Sequence, residues 1–307
     1  MIGLADSVEL AVLERSGEVE SRHLGAAVLV DADGSILQAL GNPAALIYPR
    51  SAAKPLQATA VLATGLPLEG EELVLASASH SGTAAHVSVV ERMLASAGLD
   101  ESALQCPADW PLDGKARAAA TPPAGAGRRR ITMNCSGKHA AFLAASVHAG
   151  WSTDDYLDLE HPMQSAVAAT IAEYAGEHVA HWGIDGCNAP TPVISLTGLA
   201  RSIGRVAASS SPLPAAILAH PWAIDGQGRE NAVTIAETGL IAKLGAEGVL
   251  VLATTAGQAV AVKTLDGADR ARTMIALEVL VRAGLVPRER AEAVLAATLE
   301  TGLSVAF

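Results

Sequence analysis

The residues of this chain with the clearest potential for covalent chemistry are Ser51 and Lys54, which form a Ser-x-x-Lys arrangement. A serine hydroxyl is a weak nucleophile at neutral pH and needs a base beside it. Because residues three apart lie on one face of a helix, a helix that begins at Ser51 would bring the lysine to the hydroxyl. Lysine acts as a base only when it is partly neutral, which burial or a neighbouring cation promotes. The spacing indicates a candidate nucleophile, although a capping serine followed by an exposed lysine gives the same pattern.

Two further segments fit a hydrolase that uses serine and lysine. Ser79 follows an apolar run, Leu73 to Ala78, and offers a second hydroxyl. Lys243 stands in Lys-Leu-Gly, which is similar to the Lys-Thr-Gly element of β-lactamases and penicillin-binding proteins. We expect this lysine to bring positive charge towards the nucleophile, and the glycine to let substrate approach a strand. The alternatives are a serine in a turn and a lysine on the surface.

Cys135, Lys138 and Cys187 form a candidate metal site. Two thiolates favour zinc, and an open fourth position would admit water or substrate. Lysine is an unusual ligand because it must lose its proton to bind. From spacing alone, a buried, inert Cys135 is the preferred interpretation, and a lone reactive thiol is another. We expect His80 and His139 to be packed or hydrogen-bonded rather than catalytic.

The composition predicts a globular protein, because half of the 307 residues are apolar and only 17% are charged. A formal charge of -11 argues against a broad basic face for nucleic acid. The first residues lack the basic region of a secretory signal, and no apolar stretch is long enough to span a membrane. We therefore expect a soluble, cytoplasmic protein that binds neither nucleic acid nor membrane. The odd number of cysteines, three, does not suggest a disulfide framework.

Hydrophobic periodicity predicts strands at both ends of the chain and helices between them. The predicted strands are Val8 to Arg15, Leu24 to Val30, Ser35 to Leu40, Gly248 to Thr254 and Gln258 to Leu265. The predicted helices cover residues 51–63, 84–97, 140–149, 153–175, 197–206, 213–219, 230–243 and 270–284, and residues 106–130 are predicted to be irregular. This order predicts an α+β fold, an α/β sandwich in which an antiparallel sheet from the two ends is flanked by helices, with a mainly helical middle lobe. We expect one catalytic domain, residues 1–307, with two closely joined lobes.

Taken together, the motifs resemble one family, the asparaginase-II-like proteins or class 3 L-asparaginases. The segments that carry the resemblance are Ala-Leu-Gly-Asn-Pro at 39–43, Arg-Ser-Ala-Ala-Lys-Pro at 50–55, Ala-Ser-His-Ser at 78–81, Asn-Cys-Ser-Gly-Lys-His at 134–139, His-Pro-Met-Gln at 161–164, Asp-Gly-Cys-Asn-Ala-Pro at 185–190 and Lys-Leu-Gly-Ala-Glu-Gly at 243–248. The segment 225–231 matches the family's glycine-and-arginine stretch only loosely. The resemblance implies a fold related to serine β-lactamases and glutaminases. It also implies hydrolysis of L-asparagine to L-aspartate and ammonia, by an enzyme that is a homodimer.

The resemblance further implies a covalent mechanism. Its catalytic groups would be two serines and two lysines: Ser51, Lys54, Ser79 and Lys243. Lys54 would take the Ser51 proton, with Lys243 assisting and Ser79 relaying protons. Ser51 would then attack the side-chain amide of asparagine, while backbone N–H groups near it stabilise the oxyanion. Water would finally hydrolyse the aspartyl ester.

The resemblance also implies a zinc site close to the catalytic serines. Its ligands would be Cys135, Lys138 and Cys187. The zinc is expected to position substrate and raise its affinity, and not to break the amide bond. Three further residues are expected to contact substrate or to hold the site together: Arg50, Asp185 and His139.

Two other functions fit the same residues. The first is another Ser-x-x-Lys amidohydrolase on the same scaffold, such as a glutaminase or a β-lactam-binding enzyme, which a comparison of asparagine, glutamine and a chromogenic β-lactam would separate. The second is a non-catalytic zinc-binding or redox-sensing protein that uses Cys135 and Cys187. Metal-dependent partner binding without turnover would favour that second function, whereas loss of turnover in Ser51→Ala would favour the serine enzyme.

Overall fold

An antiparallel sheet of seven strands joins the two ends of the chain. The computed structural model describes residues 1–123, 125–299 and 302–307. Its strands are β1 (Val8–Arg15), β2 (Glu18–Val30), β3 (Ile36–Leu40), β4 (Leu46–Ile47), β5 (His181–Ile184), β6 (Pro190–Ser195), β7 (Ile241–Leu244), β8 (Val249–Ala253), β9 (Ala259–Thr264) and β10 (Leu303–Val305). The order in the large sheet is β10-β1-β2-β9-β8-β7, with β3 also paired to β2, whereas β4, β6 and β5 form a small sheet. The predicted pairing of strands from both ends is confirmed.

Helices fill the middle of the chain and cover the sheet. They are α1 (Lys54–Ala63), α2 (Gly70–Ala76), α3 (Ala84–Ser96), α4 (Gly114–Ala120), α5 (Ser136–Ala149), α6 (Pro162–Ala175), α7 (Leu196–Ala208), α8 (Pro212–Ala219), α9 (Trp222–Asp225), α10 (Glu230–Thr238), α11 (Arg272–Arg282) and α12 (Arg288–Thr298). Short 3-10 turns add Leu4–Asp6, Arg50–Ala53 and Glu101–Ala103. This mixture of helices and antiparallel sheet confirms the predicted α+β class. Across the three described ranges, no helix is long and apolar enough to cross a membrane.

Helices α7 and α11 both pack against the central strands of the large sheet. All five residues of β8, Val249–Ala253, are buried. Because neighbouring side chains of a strand point to opposite faces, this burial means that both faces of the sheet are covered. A short, continuous apolar run bounded by turns is typical of such a strand. The sheet thus gives its edge strand β7, which carries Lys243, a rigid support.

Helix α5 runs through the interior, as its apolar composition predicts. Every residue from Ser136 to Ser146 is buried. The helix begins at Ser136 rather than at Ala140, so Lys138 lies in its first turn. Gly137 allows a close approach to α2, because a Cβ at this position would lie 2.5 Å from the Leu75 carbonyl oxygen. Close packing of α5 therefore fixes the candidate metal ligands Cys135 and Lys138 and the neighbouring His139 at its start.

The predicted helix over residues 51–63 forms in two parts. Arg50–Ala53 is a 3-10 turn and α1 begins only at Lys54. Pro55 is accommodated in the first helical turn, where no N–H is needed. Ser51 is therefore not a helix cap but part of the tight turn that leads into α1. Arg50 has a φ of 53°, a left-handed conformation that is uncommon for residues other than glycine.

Other predictions need correction too. The helix predicted over residues 153–175 begins only at Pro162, where the His161 side chain caps it. The predicted helix 230–243 ends at Thr238, because Gly239 adopts a left-handed C-cap, and the chain continues as β7. The region 106–130 contains α4, which begins where the Asp113 side chain caps the Ala116 N–H. The helix predicted at 270–284 is not the last one, since α12 and β10 follow it.

Candidate active site

Ser79 lies between two lysine side chains. Its Oγ accepts hydrogen bonds from Lys54 Nζ at 3.1 Å and from Lys243 Nζ at 3.0 Å. The backbone holds Ser79 in place, because its N–H donates to the Ile224 carbonyl at 2.8 Å. Lys54 also donates to the Ala78 carbonyl at 2.5 Å. Two amines and a hydroxyl are therefore joined in one chain along which protons can move.

Lys243 is the lysine whose environment favours the neutral amine. It is completely buried on β7 and also donates to the Leu244 carbonyl at 2.7 Å. Burial, and then the charge of Lys54, holds the pKa of Lys243 well below its ordinary value. Asp225 acts in the opposite direction but does not reverse the shift. Lys243 can thus accept a proton at a pH where an exposed lysine cannot.

Ser51 lies beside this chain of hydrogen bonds, on the 3-10 turn before α1. Its side chain makes no hydrogen bond to any described residue, and Lys54 Nζ is directed to Ser79 and Cys135 instead. The segment after β7 packs tightly against the Ser51 turn, because a Cβ on Gly245 would lie 2.6 Å from the Pro49 carbonyl oxygen. The structure therefore brings Ser51, Lys54, Ser79 and Lys243 together, but it contains no direct Ser51–Lys54 hydrogen bond.

Two backbone N–H groups at this site have no acceptor among the described residues. One belongs to Ser51, at the start of the 3-10 turn, and the other to Ala246, after β7. Residues at the beginning of a helical turn leave such donors free. Both Ser51 and Ala246 line the cleft described below. They are the donors best placed to bind an oxyanion formed at Ser51.

The cleft has two compartments that meet at Ser51, Asn134 and Ala246. We call the first the relay cavity; it has a volume of ≈ 200 Å3, and its lining consists of Ser51, Ser79, Leu112, Asn134, Asp225, Arg229, Asn231, Leu244, Gly245, Ala246, Asp269 and Arg272. We call the second the cysteine cavity; it has a volume of ≈ 280 Å3, and its lining consists of Arg50, Ser51, Asp109, Met133, Asn134, Cys135, Asp185, Gly186, Cys187 and Ala246. Ser79 lines only the relay cavity, whereas both thiols line only the cysteine cavity.

The two cysteines and Lys138 form one buried cluster. Lys138 Nζ donates to Cys187 Sγ at 3.1 Å, and Lys54 Nζ donates to Cys135 Sγ at 3.1 Å. Cys187 accepts a hydrogen bond from Cys135, and this bond and the charge of Lys138 lower the pKa of the Cys187 thiol. The pKa of Cys135 is raised, because Cys135 donates that hydrogen bond and is buried. Burial alone would lower the pKa of Lys138, but the charges of the two sulfurs raise it. Both shifts favour an ion pair between Cys187 and Lys138.

His139 lies in the interior next to this cluster and does not face the cleft. It is fully buried, and it lines neither cavity. The Tyr156 hydroxyl accepts the Gln105 N–H at 2.9 Å, and it lies 2.7 Å from His139 Nδ1, with which it shares a hydrogen bond. The other ring nitrogen of His139 is Nε2. This nitrogen is buried without a partner at normal distance, and Cys187 is close enough to interact with the ring.

Arg50 and Asp185 form an ion pair at the rim of the cysteine cavity. Arg50 Nε and one terminal nitrogen lie 2.9 and 2.8 Å from the same Asp185 oxygen. The Gly186 N–H donates to that oxygen too, at 2.8 Å. The pair ties the Ser51 turn to the loop that carries Cys187. It therefore holds two parts of the site together, and it leaves the second Asp185 oxygen without a described partner.

Comparison with known proteins identifies the family of the chain. The family model described as L-asparaginase II matches residues 11–304. The chain belongs to the L-asparaginase II family. This membership assigns it to the amidohydrolases, which act on small molecules.

The similarities to solved structures are weaker than the match to the family model. A β-lactamase from Mycobacterium bovis is similar at 15% identity with a TM-score of 0.41, over 89% of this chain and 94% of that one. Mglu, solved in its tris and glutamate form, is similar at 14% identity with a TM-score of 0.38, over 91% of this chain. The match covers 64% of Mglu, so this chain spans less than two thirds of that structure. No curated protein sequence matches the chain.

Two residues that line the candidate site, Asn134 and Asp225, are not among the site residues predicted from the sequence. Asn134 lines both cavities, and its side-chain oxygen lies 3.1 Å from Cys135 Sγ. Asp225 is held by the N–H groups of Asn231 and Ala232, and burial raises its pKa to about 6. The position of Asn134 inside the motif at 134–139 was the only available signal. Asp225 is the first residue of the loosely matching segment 225–231, and only the folded chain brings it beside Lys243.

The donor set at Cys135, Lys138 and Cys187 fits a zinc ion. Two thiols and an amine suit a borderline-soft cation. Over the described ranges, no group of three or more His, Cys, Asp or Glu side chains could hold a metal. The present set differs from such groups because its third member is a lysine.

Proposed function

We propose that this L-asparaginase II family member hydrolyses L-asparagine to L-aspartate and ammonia through an aspartyl ester on Ser51. The observation that carries the proposal is the position of Ser79 Oγ, between the buried amines of Lys54 and Lys243 and next to Ser51 in one cleft. A hydroxyl held in this way can pass protons between a nucleophile, a base and a leaving group.

The choice of Ser51 over Ser79 as nucleophile rests on access. An acyl-transfer nucleophile must reach a carbonyl carbon that has the acyl part on one side and the leaving group on the other. Ser51 lines both cavities, whereas Ser79 lines the relay cavity alone. Ser51 also has free N–H donors beside it, its own and that of Ala246. Ser79 has two amine partners instead, which suits a proton relay.

The proton path follows from the hydrogen bonds. In acylation, Ser51 loses its proton to the amines, with Lys243 as the final acceptor because its pKa is lowered. Its oxygen adds to the amide carbon, and the N–H groups of Ser51 and Ala246 bind the resulting oxyanion. Ser79 returns a proton to the leaving nitrogen as the carbon–nitrogen bond breaks. In deacylation, water gives its proton to the same amines and attacks the ester, which frees aspartate and Ser51.

The cysteine cavity is the proposed site for the amino-acid part of the substrate. Asparagine carries a carboxylate and an ammonium on its Cα, and Arg50 and Asp185 offer one charge of each sign at the rim. Cys135, Lys138 and Cys187 would hold a zinc ion next to this cavity. When bound, the zinc would supply a cation that attracts the substrate carboxylate. Ser51 and the lysines carry the bond-breaking steps.

The experiment is ammonia release from asparagine and from glutamine by purified protein. Wild type should release ammonia from asparagine, and glutamine should be slower because an extra methylene displaces the amide carbon, at a cost of about 1–3 kcal/mol. Ser51→Ala should release almost none, whereas Ser88→Ala, an exposed serine on α3, should match wild type. Intact-mass spectrometry of quenched wild type should show one aspartyl adduct. Full turnover by Ser51→Ala would disprove the proposal, and faster turnover of glutamine would make the enzyme a glutaminase.

Two further properties follow from the family alone. We expect a homodimer and a cytoplasmic location. Light scattering of the purified protein measures the first, and fractionation of cells that express the full gene measures the second. A monomer that is fully active would contradict the dimer.

A further inference from the structure

The relay cavity is larger than the release of ammonia requires. The leaving nitrogen must face its proton donor, Ser79, and this hydroxyl opens into the relay cavity alone. The leaving group therefore departs into this compartment. Its volume is ≈ 200 Å3, whereas a molecule of the size of water, similar to ammonia, occupies about 30 Å3. The space next to the scissile bond can accommodate a substituent of several heavy atoms on the amide nitrogen.

The charges in the relay cavity indicate which substituent fits. Arg272 is paired with Asp269 and Glu230, and it donates to the Gly245 carbonyl at 2.8 Å. Asp225 accepts two backbone N–H groups and lies beside Lys243. Arg229 is exposed, and its charge acts on Asp225, but its guanidinium makes no hydrogen bond or close ion pair to any described residue. The cavity thus retains one free cation, a planar group suited to a carboxylate.

We propose that the relay cavity is a leaving-group subsite for a substituent that carries a carboxylate, so that the enzyme also hydrolyses β-aspartyl dipeptides. This inference rests on the proposed function. In β-aspartylglycine the β-carbonyl carbon is the same as in asparagine, and its amide nitrogen carries a glycine instead of two hydrogens. Arg229 binds the glycine carboxylate and determines specificity for the leaving group.

The reaction keeps the same balance of atoms as hydrolysis of asparagine. Ser51 Oγ forms an ester with the β-carbonyl carbon as the bond to the glycine nitrogen breaks. Ser79 supplies the proton that makes the leaving nitrogen an amine, and the Ser51 proton remains on the lysines until it replaces that of Ser79. Water then cleaves the ester. The products are aspartate and glycine, and no other reactant is needed.

The test compares three substrates by the release of aspartate: asparagine, β-aspartylglycine and β-aspartylglycinamide, in which a neutral amide replaces the carboxylate. Wild type should cleave both dipeptide substrates, with a kcat/KM for β-aspartylglycine on the order of five- to tenfold higher, as one partly exposed ion pair provides. Arg229→Ala should abolish this preference, and Arg229→Lys should retain part of it. Arg290→Ala, an exposed arginine on α12, should keep the full preference. Circular dichroism checks that the variants fold.

Each outcome separates this inference from the proposed function. If wild type hydrolyses asparagine but not β-aspartylglycine, the leaving-group subsite is wrong and the asparaginase stands. An unchanged preference in Arg229→Ala would also overturn the role of Arg229. If β-aspartylglycine is cleaved and asparagine is not, the subsite is supported and the asparaginase proposal fails. Absence of turnover with all three substrates would overturn both.

Discussion

A buried lysine contacts the lining of each cavity, Lys243 through Ser79 and Lys138 through Cys187, but the pKa values of the two lysines shift in opposite directions. Lys243, at the relay cavity, has a pKa well below its ordinary value, because it is buried and lies near the positive charge of Lys54. Lys138, at the cysteine cluster, is equally buried, yet the sulfurs beside it raise its pKa. Burial disfavours the charged form in both places, and the neighbouring charges decide the result.

This difference in pKa suggests different roles for the two sides: proton transfer at the relay cavity and cation binding at the cysteine cluster. A neutral lysine next to a serine can accept protons, which suits bond breaking. A lysine paired with a thiolate is an ion pair in the free protein and becomes a ligand only when a cation replaces its proton. The two compartments share Ser51, Asn134 and Ala246, so substrate can contact both at once. Mutations on the two sides should therefore affect different kinetic parameters.

The largest expected effect is the loss of the nucleophile. Ser51→Ala and Lys54→Ala should each lower kcat for asparagine by roughly 10^4-fold or more, and the double variant should be little worse than either, because the residues act as a unit. Steady-state ammonia release measures these rates. If the two losses simply multiply in the double variant, Ser51 and Lys54 work independently. The test is demanding because these two side chains share no direct hydrogen bond.

The second effect concerns the base on the relay side. Lys243→Ala should lower kcat/KM by about 10^2- to 10^4-fold. In wild type, kcat/KM should fall as the pH drops through the lowered pKa of Lys243, because the protonated amine cannot accept the Ser51 proton. This acid limb should disappear from the residual activity of Lys243→Ala, and Lys115→Ala, a surface lysine on α4, should keep it. If the limb persists in Lys243→Ala, it belongs to another group, such as Asp225 with its pKa of about 6.

The sequence predicts the residues of the site better than their connections. The order of motifs places Ser51, Ser79 and Lys243 in one centre, and the folded chain brings them together. Their hydrogen bonds could not be predicted, because they depend on three segments that meet only when β7 pairs with β8, at Ile241 opposite Ala253. Local periodicity continues the helix through residue 243, and this distant pairing overrides it.

A local signal explains one of the features that are absent from our sequence predictions. Helix α4 has an Asp113 cap followed by an alanine-rich run, which is a recognisable helix start inside a region rich in proline and glycine. The small sheet of β4, β5 and β6 is different, because its strands are short and β4 pairs with β6 from the far side of the chain, Leu46 opposite Ser195. Arg229 likewise becomes a candidate only when Ser79 defines the side from which the leaving group departs.

The third effect tests the cysteine side and should appear in KM rather than kcat. Cys187→Ser, or removal of metal by a chelator, should raise KM for asparagine at least about tenfold, and kcat should change less because the serine breaks the bond. Elemental analysis should find about one zinc per chain in wild type and much less in Cys187→Ser. Cys106→Ser is the matched control, a buried thiol that lines neither cavity and whose pKa burial raises to about 12. Unchanged zinc content in Cys135, Lys138 and Cys187 variants would disprove the metal site.

The smallest effect tests whether the cysteine cluster depends on the buried contact between Tyr156 and His139. Tyr156→Phe removes the hydroxyl that accepts the Gln105 N–H and contacts His139 Nδ1. Two buried polar groups then lose their partner, which should lower the free energy of unfolding by about 1–3 kcal/mol. Because His139 lies behind Cys187, we expect weaker zinc retention against a chelator and a KM only a few times higher, with the acid limb of the pH profile unchanged.

Tyr174→Phe, a tyrosine on α6 that packs at the edge of the core, should alter none of these. A change in the acid limb of Tyr156→Phe would mean that the two compartments are coupled through α5, and that the division between proton transfer and substrate binding does not hold.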